Sequence, residues 1–327
     1  MKIIVTGGAG FIGSNLVDFL VKKKHKVIVI DNFSTGLKNN LKLSQNKVKI
    51  INKDISSNNN LDRIFKGADY VFHLAGLADI VPSIERPESY FKSNVLGTFN
   101  ILEACRKNKI KKIIYAASAS CYGLPKRFPT NELEKINVKY PYAFTKWQGE
   151  ELVKHWFEIY KLPYISMRFF NVYGPRSRTS GAYGAVFGVF LAQKVAKRPL
   201  TVVGSGKQTR DFIHITDIVE ALYKAAFSKV KGKIYNVGSG KETSVNKIAN
   251  LISKKRISIP KRPGEPDRSL SDIKKIQKDL NWRPKVNIEK GVQDLLENLH
   301  HWKKAPVWTP KKIKKATKVW FKFLKKK

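Results

Sequence analysis

Hydrophobic positions in the first half of the chain come in short runs. Residues 3–5, 27–30, 47–52, 70–76, 111–118 and 162–170 are rich in β-branched and aromatic side chains, which predicts buried strands. Between them, Leu61–Phe65, 88–107 and 143–160 predict helices, and Leu16, Val17, Phe19 and Leu20 mark the apolar side of another. Strands that alternate with helices predict an α/β fold, with a doubly wound parallel sheet covered on both faces. Ligands of such a sheet sit beyond the C-terminal ends of its strands. Gly7, Asp31, Asp54, His73, Ala75, Ser118 and Asn171 all fall there.

From about Arg176 the pattern is less regular. Residues 181–184, 198–199 and 204–206 punctuate it with Gly and Pro, and 261–267 read as a turn-rich loop. We expect a first domain over residues 1–175 and a smaller, mixed, substrate-binding domain over 176–327, with parts of 207–237 returning to the first. In the tail, Thr309 predicts an N-cap with Pro310 at the first helical position. Ile313, Trp320 and Leu324 then share one face of a basic helix. Such a helix packs on its own domain or a partner subunit, or makes weak contact with an anionic membrane surface.

The first turn carries the first chemistry. Strand 3–5 runs into Gly7, Gly10 and Gly13, a helix follows, and the next strand ends at Asp31. Gly7 permits a tight turn, Gly10 lets backbone approach a pyrophosphate, and Gly13 lets helix and strand pack closely. The helix N-terminus offers amide donors and a partial positive charge to phosphates. Asp31 would accept hydrogen bonds from an adenosine ribose and repel a 2′-phosphate, and Asn32, Phe33 and Ser34 follow it without an Arg. The unit therefore predicts a dinucleotide site that prefers NAD to NADP. The alternative is a glycine turn in another α/β protein.

Composition changes little of this. The 327 residues, 42% hydrophobic, suffice for a sizeable core. Cys105 and Cys121 are not a disulfide framework, and no apolar run reaches membrane-span length, so a cytoplasmic location is expected. No metal site is expected. The net charge of +38 is extreme, but the lysines are scattered through every segment without interleaved aromatic platforms, which argues for a lysine-biased composition and against a nucleic-acid partner.

Tyr142 and Lys146 lie four residues apart, on one face of a predicted helix. A tyrosine titrates near about 10 and needs neighbouring positive charge to act as a base at neutral pH. Lys146 and an oxidised nicotinamide ring would supply it and make Tyr142 a base for an alcohol proton. Ser118, at a strand end, could hold the substrate oxygen beside Tyr142, with Ser120 as competitor and a plain turn serine as the alternative. Asp54 suits an adenine edge or a helix N-cap.

In sum these stretches resemble the extended short-chain dehydrogenase/reductase family, and within it the nucleotide-sugar epimerases. The likeness covers roughly residues 1–300. It rests on GGAGFIGS, Asp31-Asn32, HLAG, NVLGT, the Ser118 segment, Tyr142-x-x-x-Lys146, RFFNVYGPR, GSGKQTRDFIH, YNVGSG and KRPGE. It implies a Rossmann-like domain with NAD, a nucleoside-diphosphate-sugar substrate and a homodimer through the helices of 88–107 and 143–160. By position, Ser118, Tyr142 and Lys146 match the catalytic triad. Gly7, Gly10, Phe11, Ile12, Gly13, Asp31, Asn32, Asp54, Ile55 and Ala75 match cofactor contacts, with Lys146 also on the nicotinamide ribose. Asn171, Arg210 and Arg262 match substrate contacts, although the arginines could also be surface charge. Ser269 matches a gate on substrate size, and a small residue there leaves room for a 2-acetamido group.

The family's 4,6-dehydratases and uronate decarboxylases carry acids directly after the catalytic Ser or Thr. Ala119 and Ser120 stand there instead. The resemblance therefore implies a UDP-sugar 4-epimerase for glucose/galactose or their N-acetylated forms. The alternatives are another sugar-nucleotide dehydratase, decarboxylase or reductase, or a non-catalytic dinucleotide-binding protein.

Overall fold

The computed structural model describes residues 1–57, 60–177 and 186–324, so the Gly-rich punctuation at 181–184 lies outside the described residues. Twelve strands follow in order: β1 (Lys2–Thr6), β2 (Lys26–Asp31), β3 (Val48–Asn52), β4 (Tyr70–His73), β5 (Lys112–Ser118), β6 (Tyr164–Phe169), β7 (Asn171–Tyr173), β8 (Leu200–Val203), β9 (Thr209–His214), β10 (Lys233–Val237), β11 (Glu242–Ser244) and β12 (Arg256–Ile259). Seven form one parallel sheet in the order β10-β6-β5-β4-β1-β2-β3. The order reverses between β1 and β4, and that switch point opens a crevice at their C-terminal ends.

Alternation along each strand supplies two cores. Ile3 and Val5 face one layer with Leu16, Leu20, Ile218 and Leu222. Ile4 faces the other with Ile101, Leu102, Val153 and Trp156. The segment from β9 to β10 returns to this sheet. Its helix Ile215–Phe227 packs on the helix Phe11–Lys22, with the Phe19 and Tyr223 rings edge to face at 5.2 Å, and β10 pairs with β6. β3 is less buried than its apolar sequence predicts, because it is the edge strand and only one neighbour covers it.

The predicted helix over 88–107 is interrupted. Pro87–Phe91 and Gly97–Lys107 are α-helical, and Lys92–Leu96 between them form a π turn. That turn presents Asn94 inward, where Oδ1 accepts the Leu77 N–H (2.8 Å) and Nδ2 donates to Leu77 O and Thr145 Oγ1 (3.0 Å each). The helix Pro141–Tyr160 is thereby tied to the loop after β4.

A smaller layer faces the sheet's C-terminal end. It contains β11-β9-β7 and β12-β8 around a third core with Phe187, Phe190, Leu200, Ile248 and Trp302. The tail differs from the single helix expected. Helices Pro310–Ala316 and Lys318–Leu324 meet at Thr317, and Ile313 and Trp320 are buried against the chain itself. Thr309 does cap the first, accepting the Lys312 N–H at 3.4 Å. No described helix is long and apolar enough to cross a membrane.

Candidate active site

At the end of β1 the chain turns at Gly7 with φ +70°, and a Cβ there would lie 2.6 Å from the Ala75 amide nitrogen. Only glycine lets the loops after β1 and β4 come so close. A Cβ on Gly13 would lie 2.1 Å from the Gly7 carbonyl oxygen, so the helix Phe11–Lys22 packs against this turn without a side chain between them. Gly10 is the N-cap and offers no side-chain acceptor. The first helical bond, Ser14 N–H to Gly10 O, spans 3.0 Å, which leaves the amides of Phe11, Ile12 and Gly13 directed out of the helix N-terminus.

Asp31 stands beside this turn. Its carboxylate accepts the amides of Ala9 (2.9 Å) and Phe33 (2.8 Å). Burial raises its pKa, and the two amides oppose that rise. Asn32 Nδ2 donates to Asp54 Oδ2 at 2.9 Å, so these two predicted contacts meet at the next strand end. Burial pulls the Asp54 pKa up, but the hydrogen bonds from Ser56 and Asn32 outweigh it and hold it low. Ile55 is buried, and its carbonyl accepts Asn100 Nδ2 at 2.9 Å. Phe11 and Ile12 are half-buried against the first core.

His73 ends β4, a place where a titrating residue would invite a catalytic reading. It is wholly buried between Thr6 Oγ1 (2.7 Å) and Thr98 Oγ1 (3.0 Å). Burial first, then the charge of Lys146, press its pKa down to about 3, so the ring is neutral. It pins β1, β4 and the helix Gly97–Lys107 around the switch point.

Farther along the same edge a cavity of about 350 Å³ separates the sheet from the smaller layer. Ser118, Tyr142, Asn171, Arg210, Arg262 and Ser269 all line it. Ser118 is the last residue of β5, and its Oγ accepts the Ser120 N–H at 3.2 Å. Tyr142 sits in the first turn of the helix Pro141–Tyr160, and Lys146 is one turn on. Asn171 Nδ2 donates to Asp211 O at 3.2 Å.

The sequence reading asks for two cations, Lys146 and an oxidised nicotinamide ring, to make Tyr142 acidic, and the protein's own groups do not do so by themselves. Among the protein's own groups burial raises the Tyr142 pKa, and the hydroxyls of Ser118 and Ser120 only partly offset it. Lys146 is pushed down to about 7 by burial, against the attraction of Glu150. Its Nζ lies 4.3 Å from the Tyr115 ring centroid. Glu150 itself is engaged by the buried Arg168, whose Nη2 lies 2.5 Å from Oε1.

At the other end of the cavity Glu265 lies between two guanidinium groups, 3.2 Å from Arg210 and 3.9 Å from Arg262. Two cations against one carboxylate leave net positive charge. Among the described residues Glu265 is the only carboxylate lining the cavity. Asn94, Glu265 and Tyr140 had no role in the sequence reading, and Trp320 entered it only as part of the apolar face of a tail helix. Asn94 lies in NVLGT and Glu265 in KRPGE, so the motifs held a signal, whereas nothing local marks Tyr140 or Trp320.

Comparison with known proteins agrees with this arrangement. Residues 3–238 match the model of the NAD dependent epimerase/dehydratase family. UDP-glucose 4-epimerase of Mycolicibacterium smegmatis is 33% identical, the match covering 91% of this chain and 98% of that protein. UDP-N-acetyl-alpha-D-glucosaminuronate decarboxylase of Bacillus cytotoxicus is 31% identical over 90% of this chain and 97% of its own. The structure of UDP-glucose 4-epimerase from Thermotoga maritima with UDP-glucose superposes with a TM-score of 0.87 at 32% identity, covering 92% of this chain and 99% of that one. A glycine turn at the switch point, an acid at the end of β2 and a sequence match through β10 place the chain in the NAD dependent epimerase/dehydratase family.

Proposed function

We propose that the protein is an NAD-dependent UDP-sugar 4-epimerase acting on UDP-glucose and UDP-galactose or their N-acetylated forms. The observation that carries this is the cavity itself. It is lined by a tyrosine and a serine hydroxyl and by a paired-arginine cluster, with no carboxylate but Glu265 among the described residues. Elimination or decarboxylation calls for further acid/base groups beside the sugar, whereas epimerisation needs only one group that takes and returns one proton.

The glycine turn fits a dinucleotide, because it leaves no Cβ over the three outward amides, and the Asp31 carboxylate stands beside it. Gly7, Gly10, Phe11, Ile12 and Gly13 would hold the pyrophosphate. Asp31, Asn32, Asp54 and Ile55 would hold the adenosine, and Ala75, Tyr142 and Lys146 the nicotinamide ribose. When bound, NAD would supply the hydride acceptor and donor for the sugar C4 and the positive charge that the phenol lacks. Tyr142 then removes the 4-OH proton and returns it after the sugar turns over. Ser118 holds the sugar oxygen within reach of Tyr142, and Lys146 keeps the ribose and phenol in register. Asn171, Arg210 and Arg262 would bind the diphosphate, whose charge competes with Glu265 for the guanidinium groups.

A second copy of the chain is the expected partner. Phe91, Leu96, Phe99 and Phe144 are 49%, 39%, 39% and 41% exposed, and all lie on the helical segments 87–107 and 141–160. Sedimentation should give a dimer that Phe99→Glu weakens.

NMR of the purified protein with UDP-galactose, without added NAD, should show conversion to UDP-glucose. Tyr142→Phe should lower turnover by about a thousandfold while leaving retained nucleotide unchanged. Loss of carbon dioxide from UDP-glucuronate with no 4-epimer formed would sink the reading.

A further inference from the structure

The C-terminal tail lies beyond the motifs that carry the family resemblance, yet it reaches the cavity. Gln193, buried in the smaller layer, donates to the Trp308 carbonyl at 2.7 Å and anchors the tail's start. Ile313, in the first tail helix, then lines the cavity. Trp320, in the second, lines it too and donates from Nε1 to the Pro263 carbonyl at 2.6 Å, next to Arg262. Its ring centroid is 6.2 Å from that of Tyr140, which stacks on Tyr142 at 6.3 Å and 8°. The helix Lys318–Leu324 finishes against the helix Ile80–Glu85, which follows β4 of the main sheet. The tail thus crosses from the smaller layer to the main sheet. It walls the span between the Tyr142 phenol and the Arg262 guanidinium.

Its charge bears on when it stays there. Residues 306–324 include Lys311, Lys312, Lys314, Lys315, Lys318 and Lys322 and no Asp or Glu. Docking this segment on the rest of a strongly basic chain is opposed by repulsion. An anion in the cavity beneath it lowers that cost. Burial of Ile313 and Trp320, 5% and 2% exposed, works in the same direction by removing apolar surface from water.

We propose that the tail is a strap over the substrate site, with Trp320 as its latch, and that a nucleoside-diphosphate ligand and the docked strap stabilise each other. This rests on the sugar-nucleotide reading of the cavity. Because coupling is reciprocal, a strap that tightens the ligand must itself be tightened by the ligand.

The test uses the full chain with the cofactor it retains, and UDP as the probe. UDP affinity is measured by calorimetry for wild type, Trp320→Ala and Trp320→Phe. In parallel, trypsin cleavage at the tail lysines is followed with and without UDP. Trp320→Ala should weaken UDP about tenfold or more, and Trp320→Phe, which keeps a ring against Tyr140, should recover most of that. UDP should slow cleavage of the wild-type tail and leave the Trp320→Ala tail unprotected. Equal UDP affinity in all three proteins, or a wild-type tail cut equally fast with and without UDP, overturns the strap and leaves the substrate reading standing. Wild-type protein that does not bind UDP overturns the substrate reading and the strap with it.

Discussion

The two ends of the site are made of different material. At the β1–β4 switch point the surface is backbone, shaped by glycines at strand ends and by amides at a helix start. In the cavity it is side chain, with Arg210 and Arg262 brought together on Glu265 and Trp320 brought in from the tail onto the Pro263 carbonyl. A backbone surface is set by local geometry and tolerates almost no added atom. A side-chain surface is assembled from distant segments and changes in steps. The two ends should therefore answer substitution differently.

The sharpest test of that contrast is one methyl group. Gly13→Ala places a Cβ 2.1 Å from the Gly7 oxygen, a backbone atom that cannot turn aside. We expect a loss of about 3 kcal/mol or more of stability and purification without nucleotide. Gly10→Ala meets the same oxygen at 3.2 Å, which the fold can absorb. It should keep its melting temperature and still lose the nucleotide, because the methyl would occupy the proposed pyrophosphate approach. Absorbance of the purified proteins and thermal melts separate these outcomes, and a nucleotide-loaded Gly13→Ala protein would undo the contrast.

His73 locks the backbone end, and its protonation should loosen it. Its pKa is about 3 in the fold and 6.5 when unperturbed. Between those values the unfolded chain binds a proton that the folded chain does not, so this group makes stability fall as pH falls through that window. The full effect is on the order of 5 kcal/mol. Denaturant midpoints measured from neutral to acid pH should drop less steeply for His73→Asn than for wild type. Parallel curves would mean that His73 is not held neutral by the fold.

Legibility in the sequence follows the same division. The main sheet from β1 to β6 could be read because each of those strands is a local apolar run, and the glycine turn because its spacing is local too. The spacing of Tyr142 and Lys146 was equally visible. The direction of the Tyr142 pKa was not, since it depends on burial by residues far away in sequence. β7, β8, β11 and β12 escaped because they are three or four residues long and find their partners tens of residues away, and β9 and β10 were read only within a segment that partly returns to the first domain. The π turn that aims Asn94 escaped because its sequence reads as ordinary helix. Trp320 read only as one face of a helix, and what that face covers is a tertiary fact.

Ser269 offers the smallest and most selective change at the side-chain end. It is half-buried and lines the same cavity as Tyr142, on the loop that also carries Arg262 and Glu265. A ring at this position should narrow the room beside the sugar without touching the phenol or the arginines. Ser269→Tyr should then lower kcat/KM for UDP-N-acetylgalactosamine more than for UDP-galactose, by about 10- to 100-fold, the range that one misfitted apolar group supplies. A hydroxyl at C2 fits where an acetamido group does not, so the ratio of the two substrates isolates the wall from the catalytic groups. Equal losses on both substrates would mean that Ser269 faces the nucleotide instead, and that substrate size is limited by another part of the wall.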